Sequence, residues 1–221
     1  MIYYSIIVYF FILQTKPAFG AFENVAVGKT ADQSSYLSNW IKNATNAVDG
    51  SIATCIHTDV GKDNSWWEVD MGKEYFIHQV GIYFRTGWKW RRNGIQVYTS
   101  MSPRQTVTGQ PCGEQITGNM DGSDIADVTT RTCDVTGRYV TLYTNTLNKD
   151  SCNACDGGKA MDFCEVFVMA CELNVKYGPN CNKMCNDRKC ATKTSSCDMI
   201  GTCIGGCQAG WKNTDCTEEQ N

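Results

Sequence analysis

Apolar and polar residues alternate along several short segments of this chain, which is the pattern of strands with one buried face. The segment "SWWEVDMG" places Trp67, Val69 and Met71 on one face, with acidic residues between them. The segments "QVGIYFR", "GIQVYTS", "RYVTLYT" and "CEVFVMA" repeat the alternation, and clusters of Gly, Asn, Asp and Thr separate them. Many short strands with turn signals between them predict an all-β domain built as a β-sandwich.

The N-terminal segment "MIYYSIIVYFFILQTKPAFG" has a different character. An apolar run from Ile2 to Leu13 precedes a polar stretch that ends in small residues near Gly20. About twelve apolar residues fall short of the roughly twenty that span a bilayer. We therefore predict a secretory signal over residues 1–20, no membrane span and an extracellular location.

The 14 cysteines divide the chain into two parts. In an exported protein they are expected to pair. Six are spread over the first two thirds, and eight lie in the last fifty residues or so. Both counts are even, so we predict domains at 23–170 and 171–216, with a short polar tail at 217–221. The second domain is poor in aliphatic residues and would depend on four bridges, whose pairing the sequence leaves open.

The net charge and the motifs of the chain argue against nucleic-acid binding and against catalysis. The net charge of -3 over 221 residues gives no general reason to bind nucleic acid. Lys89, Arg91 and Arg92 alternate with tryptophans, but a mildly acidic extracellular protein argues against a nucleic-acid surface. The sequence has no nucleophile elbow, HExxH or phosphate loop, and each cysteine has an expected bridging partner. We predict a binding protein and not an enzyme.

Seven motifs point to a known family. "ENVAVGKTADQSS", "NATNAVDG", "CIHT", "WWEVDMGK", "GIYFR", "RRNG" and "CEVFV" follow one another in the order and rough spacing of the F-type lectins. These are the fucolectin relatives of the discoidin or coagulation-factor C-type domain. The resemblance covers about residues 23–170. It implies an eight-stranded jelly-roll sandwich with a structural calcium ion and a fucose site on its end loops.

The resemblance also implies the calcium ligands. Ca²⁺ takes six to eight oxygens, and a tight Asp-Gly turn can present a carboxylate and backbone carbonyls together. Asp49 and Glu165 would neutralise the ion. Ser51 stands where the family usually has Asn, which matters little if that ligand is a main-chain oxygen. The implied ligand residues are Asn46, Asp49, Ser51, Thr54, Cys164 and Glu165.

Cys55 and Cys164 are expected to be bonded, because each sits beside an implied calcium ligand. The bridge would contribute roughly 4 to 5 kcal/mol by restricting the unfolded chain. Cys152 and Cys155 have no counterpart in the family, and a local bridge fits an extracellular chain better than zinc. The other bridges expected in the first domain are Cys112–Cys133 and Cys152–Cys155.

The implied fucose site consists of His57, Arg85 and Arg91. Sugar oxygens accept hydrogen bonds, and guanidinium groups are rigid, charge-assisted donors. Counting from Arg85 selects Arg92 as the second donor, so the choice between Arg91 and Arg92 stays open.

Two departures from the family surround this site. Gly87 stands where the family has an Asp after the strand. Trp88 and Lys89 replace a pair of adjacent cysteines, so Trp88 or Trp90 is a candidate to stack on the apolar face of the sugar.

Two hypotheses follow. The first is a secreted, calcium-containing lectin that binds terminal fucose or a related sugar in innate recognition of glycans. Because one monosaccharide site binds weakly, this hypothesis favours homo-oligomers or clustered ligands. The alternative, which Gly87 favours, is an adhesion or matrix protein that binds protein or lipid and has a vestigial sugar site.

Two further features concern the surface of the protein. "YGPNC" and "GCQAGWKNTDC" resemble EGF-like modules of multiple-EGF and scavenger-receptor proteins, which implies a spacer or a site for protein partners. Asn43 begins a glycosylation sequon, "NAT".

Overall fold

The computed structural model describes residues 22–37, 43–148, 158–193 and 196–220. The predicted signal segment and the predicted Cys152–Cys155 bridge lie outside these residues. Within the described ranges, no helix has the length and apolar character needed to cross a membrane.

Eight strands form one connected antiparallel network. The strands are β1 Glu23–Asn24, β2 Thr30–Gln33, β3 Ile56–His57, β4 Ser65–Phe84, β5 Gln96–Ser100, β6 Gln110–Pro111, β7 Val128–Thr144 and β8 Asp162–Glu172. Their order in the sheet is β1-β8-β4-β7-β5-β6, with β2 paired to β4 and β3 paired to β8. Short 3-10 helices span Ala44–Val48, Lys89–Arg92 and Cys185–Asp187.

The long strands β4 and β7 contribute to both layers of the sandwich. The first half of β4 pairs with β2 and with the end of β7, whereas its second half pairs with β8 and with the start of β7. The ladder is interrupted after Asp70, where Gly72 has a φ of 83° and donates to the Asp70 carboxylate at 2.8 Å. The predicted β-sandwich is confirmed. "SWWEVDMG" and "QVGIYFR" are, however, two halves of one strand.

The core lies between the two layers. Trp67, Val69 and Met71 are fully buried on the first half of β4, as their alternation predicts. Trp67 packs edge-on against Phe163 of β8 with ring centroids 5.6 Å apart, and its Nε1 donates to the Ala44 carbonyl at 2.9 Å. This contact joins the two layers and the first 3-10 helix to one core.

The first half of β7 was not predicted from the sequence. Residues 128–136 alternate between exposed and half-buried positions, and several of them are threonines. Because neither face of this segment is apolar, the hydrophobic pattern that marks the other strands is missing. β-branched residues nevertheless suit a pleated, half-exposed surface.

The structure contains six disulfides in its described ranges. Cys55–Cys164 and Cys112–Cys133 lie in the sandwich. The tail bridges, whose pairing the sequence left open, are Cys171–Cys181, Cys185–Cys197, Cys190–Cys203 and Cys207–Cys216. The last six cysteines therefore pair first with third, second with fourth, and fifth with sixth. The EGF-like identity of this segment stays a prediction.

The tail is attached to the far end of β8. Cys171 belongs to β8, which runs to Glu172, two residues beyond the predicted boundary. Met199 of the tail packs against an apolar cluster that includes Phe22 and Met169. The tail pairs only two-residue strands in its described part, namely β9 Lys176–Tyr177, β10 Lys183–Met184, β11 Trp211–Lys212 and β12 Glu218–Glu219. Bridges and the contact with the sandwich thus take the place of a larger core.

Candidate functional site

Three strand ends meet at one end of the sandwich. His57 closes β3, Arg85 follows the last residue of β4, and Asp162 opens β8. His57 lies directly opposite Asp162 in the ladder between β3 and β8. The 3-10 helix Lys89–Arg92 comes directly after the loop at Arg85 and brings Arg91 to the same place. The topology therefore brings the residues of the predicted sugar site together around Asp162, which was not predicted from the sequence.

Asp162 bridges the two arginines. Arg91 Nη1 donates to Asp162 Oδ2 at 2.9 Å. Arg85 Nε lies 3.0 Å from Oδ1, at an angle that makes this contact an ion pair but not a hydrogen bond. The Asp162 side chain is only 1% exposed. Burying two like charges side by side is unfavourable, so the carboxylate offsets one of them and keeps the guanidiniums together.

Arg92 has different partners. Its Nη1 contacts Asp127 and the Ile125 carbonyl, both at 2.8 Å, and its Nη2 donates to the Arg85 carbonyl at 2.6 Å. The Arg92 side chain is 1% exposed. These contacts hold the loop that carries Arg85. The geometry therefore favours Arg91 over Arg92 as the second arginine that faces a ligand.

His57 is buried and has an assigned tautomer. Its Nδ1 lies 2.5 Å from the Thr58 carbonyl oxygen, which can only accept, so Nδ1 carries the proton and Nε2 is an acceptor. Burial, and then the charge of Arg91, hold the pKa of His57 below its usual value. The imidazole is thus neutral at neutral pH, beside two cationic donors.

The two tryptophans of the loop occupy different environments. Trp88 is 53% exposed, whereas Trp90 is 4% exposed. The Trp88 ring lies over Arg85 and Arg91, with its centroid 5.7 Å from Arg85 Cζ and 5.5 Å from Arg91 Cζ. The Trp90 ring also packs against Arg91, with its centroid 4.4 Å from Arg91 Cζ. Of the two candidates for stacking on a ligand, Trp88 is the one whose ring is open to solvent.

Trp88 also has an uncommon backbone conformation. Its φ is 50°, in the left-handed region, which costs a non-glycine residue roughly 1–2 kcal/mol. Strained residues of this kind are held in place by their surroundings and are concentrated at functional sites. The conformation supports the assignment of Trp88 to the site.

Gly122 packs against the backbone of the 3-10 helix Lys89–Arg92. Its φ is 65°, and a Cβ placed there would lie 2.0 Å from the Lys89 carbonyl oxygen. The neighbouring loop therefore packs directly against the backbone of the helix, where only glycine fits.

The residues of the predicted calcium site also come together. Gly50 N donates to Glu165 Oε1 at 3.3 Å, which brings the Asp-Gly turn to β8. Asp49 Oδ1 accepts from Ser51 N at 2.8 Å, and Oδ2 accepts from Thr54 Oγ1 at 2.5 Å. Asn46 Nδ2 donates to the Cys55 carbonyl at 3.4 Å, and Cys55 is bonded to Cys164.

Glu165 is the most perturbed acid of this group. Burial, together with the neighbouring charge of Asp49, raises the pKa of Glu165 to about 7. Its Oε2 is buried and has no hydrogen-bond partner. Two close carboxylates and an unpaired buried oxygen fit a cation that prefers oxygen ligands. In the described ranges, no group of three or more His, Cys, Asp or Glu side chains converges on a metal position. A cation here would depend on two carboxylates and neutral oxygens.

Asp162 could have been noticed from one signal. It stands at the start of "DFCEVFVMA", an otherwise largely apolar strand that also carries Glu165. A carboxylate in a buried strand needs a cationic or hydrogen-bonding partner. The identity of that partner depends on the pairing of β3 with β8, which the sequence does not reveal.

Comparisons with known proteins place this architecture among sugar-binding relatives. Residues 46–142 match the family described as "NedA-like, galactose-binding domain", of the F5/F8 type C group. Fucolectin-6 of Anguilla japonica is 33% identical over 149 residues, which cover 55% of this chain and 67% of that protein. Fucolectin-3 of the same species is also 33% identical, but the match covers 43% of this chain and 44% of that protein.

Solved structures agree on the fold. The fucolectin from Morone saxatilis serum superposes with a TM-score of 0.53 at 24% identity, covering 68% of this chain and 48% of that one. The lectin domain of lectinolysin, in complex with Lewis B antigen, gives 0.51 at 26% identity and covers 66% of this chain and 96% of that one.

Proposed function

Because this chain belongs to the fucolectin family of F5/F8 type C domains, we propose that it is a carbohydrate-binding lectin that recognises terminal fucose or a closely related sugar. The observation that carries the proposal is the convergence of His57, Arg85 and Arg91 on one buried carboxylate, beneath the exposed ring of Trp88. The role is binding and not catalysis.

The chemistry of these groups suits a sugar hydroxyl. Arg85 contacts Asp162 through Nε, so its two terminal nitrogens remain available as donors. The neutral imidazole of His57 offers Nε2 as an acceptor. A hydroxyl can accept from a guanidinium and donate to an imidazole at the same time. A fully ionised sulfate or carboxylate has no proton for His57, so we propose that the site prefers a neutral sugar.

The exposed indole of Trp88 complements these polar contacts. An aromatic ring packs well against the apolar C–H face of a sugar while the hydroxyls meet the polar groups. Trp88 stands where the family has adjacent cysteines. We therefore propose that it forms the apolar side of the sugar site and changes which related sugars are accepted.

Calcium is part of the proposal. Asn46, Asp49, Ser51, Thr54, Cys164 and Glu165 would hold the ion. The ion would supply charge balance for Asp49 and Glu165 and would fasten the Asp-Gly turn to β8. Removal of calcium with a chelator is expected to lower the melting temperature, and Asp49→Asn is expected to reduce that dependence. An unchanged transition in the chelated wild type would argue against the metal site.

We further propose that the protein is secreted. Six disulfides within the described ranges support an oxidising compartment. The tail would act as a spacer or bind protein partners, and Asn43, which is exposed, would be available for glycosylation. Clustered ligands or oligomers would provide avidity for a role in innate recognition.

The adhesion alternative depended mainly on Gly87. Asp162 supplies an acid to both arginines from another strand, so Gly87 alone no longer argues for a vestigial site.

The decisive experiment is affinity chromatography on immobilised L-fucose. The wild-type protein is expected to be retained and to elute with free L-fucose, and Arg85→Ala is expected to pass through. Arg131→Ala is the matched control, because Arg131 contacts the Glu114 and Gln115 carbonyls away from the site. A folded wild-type protein that is not retained would remove the fucose proposal.

A further inference from the structure

Asp162 has a position that no other residue of the proposed sugar site shares. It contacts both ligand-facing arginines and lies opposite His57 in the strand ladder. It is itself only 2% exposed, so the carboxylate is shielded from water while the arginines remain closer to the surface. A buried carboxylate in such surroundings interacts strongly with its partners.

The mode of contact determines which donors remain free. Arg85 uses Nε, and Arg91 uses Nη1. A guanidinium is rigid and planar, so fixing one edge also fixes the direction of the remaining N–H groups. A shift of the carboxylate would therefore re-aim both arginines together.

The loop itself offers no other acid to take this role. Gly87 lies two residues after Arg85, and a Cβ placed there would find no atom within 4 Å. Asp127, another acid near this loop, pairs with Arg92.

We propose that Asp162 is the positioning residue that aims Arg85 and Arg91 at a sugar hydroxyl, from β8, in place of an acid at position 87. This inference rests on the proposed function, because it assigns the two arginines to the ligand. It also makes the start of β8 a determinant of affinity, although Asp162 does not itself contact the sugar.

The test separates position from charge. Asp162→Glu keeps the negative charge but moves the carboxylate by one methylene, and Asp162→Asn removes the charge. A positioning role predicts that both variants weaken fucose binding by about tenfold or more, measured by titration calorimetry. If Asp162 only balances charge, Asp162→Glu would bind like the wild type, and the inference would be overturned. Glu172→Gln, which removes a carboxylate at the opposite end of β8, is the matched control and is expected to keep wild-type affinity.

A second-site variant provides a rescue. Position 87 has room for a side chain, so Gly87→Asp combined with Asp162→Asn is expected to recover part of the lost affinity. Gly87→Asp alone is expected to change affinity little. A double variant that binds no better than Asp162→Asn would contradict a role based on positioning through this loop. If Asp162→Asn does not fold, the Glu variant still decides the question.

A readout without sugar separates this inference from the proposed function. The only two histidines of the chain are His57 and His78, and His78→Gln identifies the NMR signal of His57. The negative charge of Asp162 raises the pKa of His57 against the larger effect of burial. Asp162→Asn is therefore expected to lower the pKa of His57 further, and Glu172→Gln, at the opposite end of β8, is not.

The possible results are distinct. A wild-type protein that binds no fucose removes the proposed function. The histidine titration then still tests whether the Asp162 carboxylate acts on His57, and an unchanged pKa of His57 in Asp162→Asn would overturn the inference. A wild-type protein that binds fucose, with Asp162→Glu unchanged, overturns only the inference about Asp162.

Discussion

The bridge between Cys55 and Cys164 permits a quantitative prediction. It joins residues 109 positions apart, whereas Cys112–Cys133 joins residues 21 positions apart. In the chain-entropy treatment, the stabilisation grows with the logarithm of loop length, to about 4.8 kcal/mol for the long loop and about 3.4 kcal/mol for the short one. We therefore expect Cys55→Ala/Cys164→Ala to lower the free energy of unfolding by about 1.4 kcal/mol more than Cys112→Ala/Cys133→Ala.

The two variants can be compared by equilibrium urea unfolding, followed by tryptophan fluorescence. Trp67 reports on the sandwich because it is buried between the layers. The long-bridge variant should also lose fucose binding, since Cys55 lies two residues before His57, while the short-bridge variant should keep it. Equal losses of stability, or a greater loss for the short bridge, would refute the argument from loop entropy. Retained sugar affinity in the long-bridge variant would show that the bridge does not hold the site.

Two further predictions concern the pH response and the supporting loop. Fucose binding should weaken on acidification only at a pH below the usual pKa of histidine, because burial lowers the pKa of His57 and protonation would convert its acceptor nitrogen to a donor. The lowered pKa of His57 should also make the folded state less stable on acidification below pH 6.5, because the unfolded chain then binds the proton more readily. His57→Gln should remove the pH dependence of stability from unfolding curves and the pH dependence of binding from fluorescence titrations. Gly122→Ala should lower both the melting temperature and fucose affinity, because its Cβ would meet the Lys89 carbonyl at 2.0 Å, whereas Gly87→Ala, with no atom within 4 Å, should leave the melting temperature unchanged.

Much of the sandwich could be predicted from the alternation of apolar residues. The buried positions of β4 carry Trp67 and Val69 in the first half and Val80 and Ile82 in the second half, as expected. The sequence did not show that these halves belong to one strand, because Gly72 and its neighbours resemble an ordinary turn. The threonine-rich start of β7 was not predicted as a strand for a related reason: it is held in the sheet by strand pairing and has no apolar face.

The candidate site could be predicted only in part from the sequence. The order of the motifs identified His57 and Arg85 as site residues. The choice between Arg91 and Arg92 required the contacts of the 3-10 helix Lys89–Arg92. Asp162 lies 77 positions after Arg85 in the chain. Its role depends on long-range strand pairing, and no local pattern encodes such a contact. The same limit applies to the tail, where several pairings of eight cysteines are compatible with one sequence.

The two ends of β8 belong to different parts of the molecule. Asp162 opens the strand and Cys171, near its close, anchors the disulfide-rich tail. At about 3.3 Å per residue, these points are roughly 30 Å apart. A partner that held the tail at this distance would leave the cluster around Asp162 uncovered, so attachment and recognition could occur on the same chain at the same time.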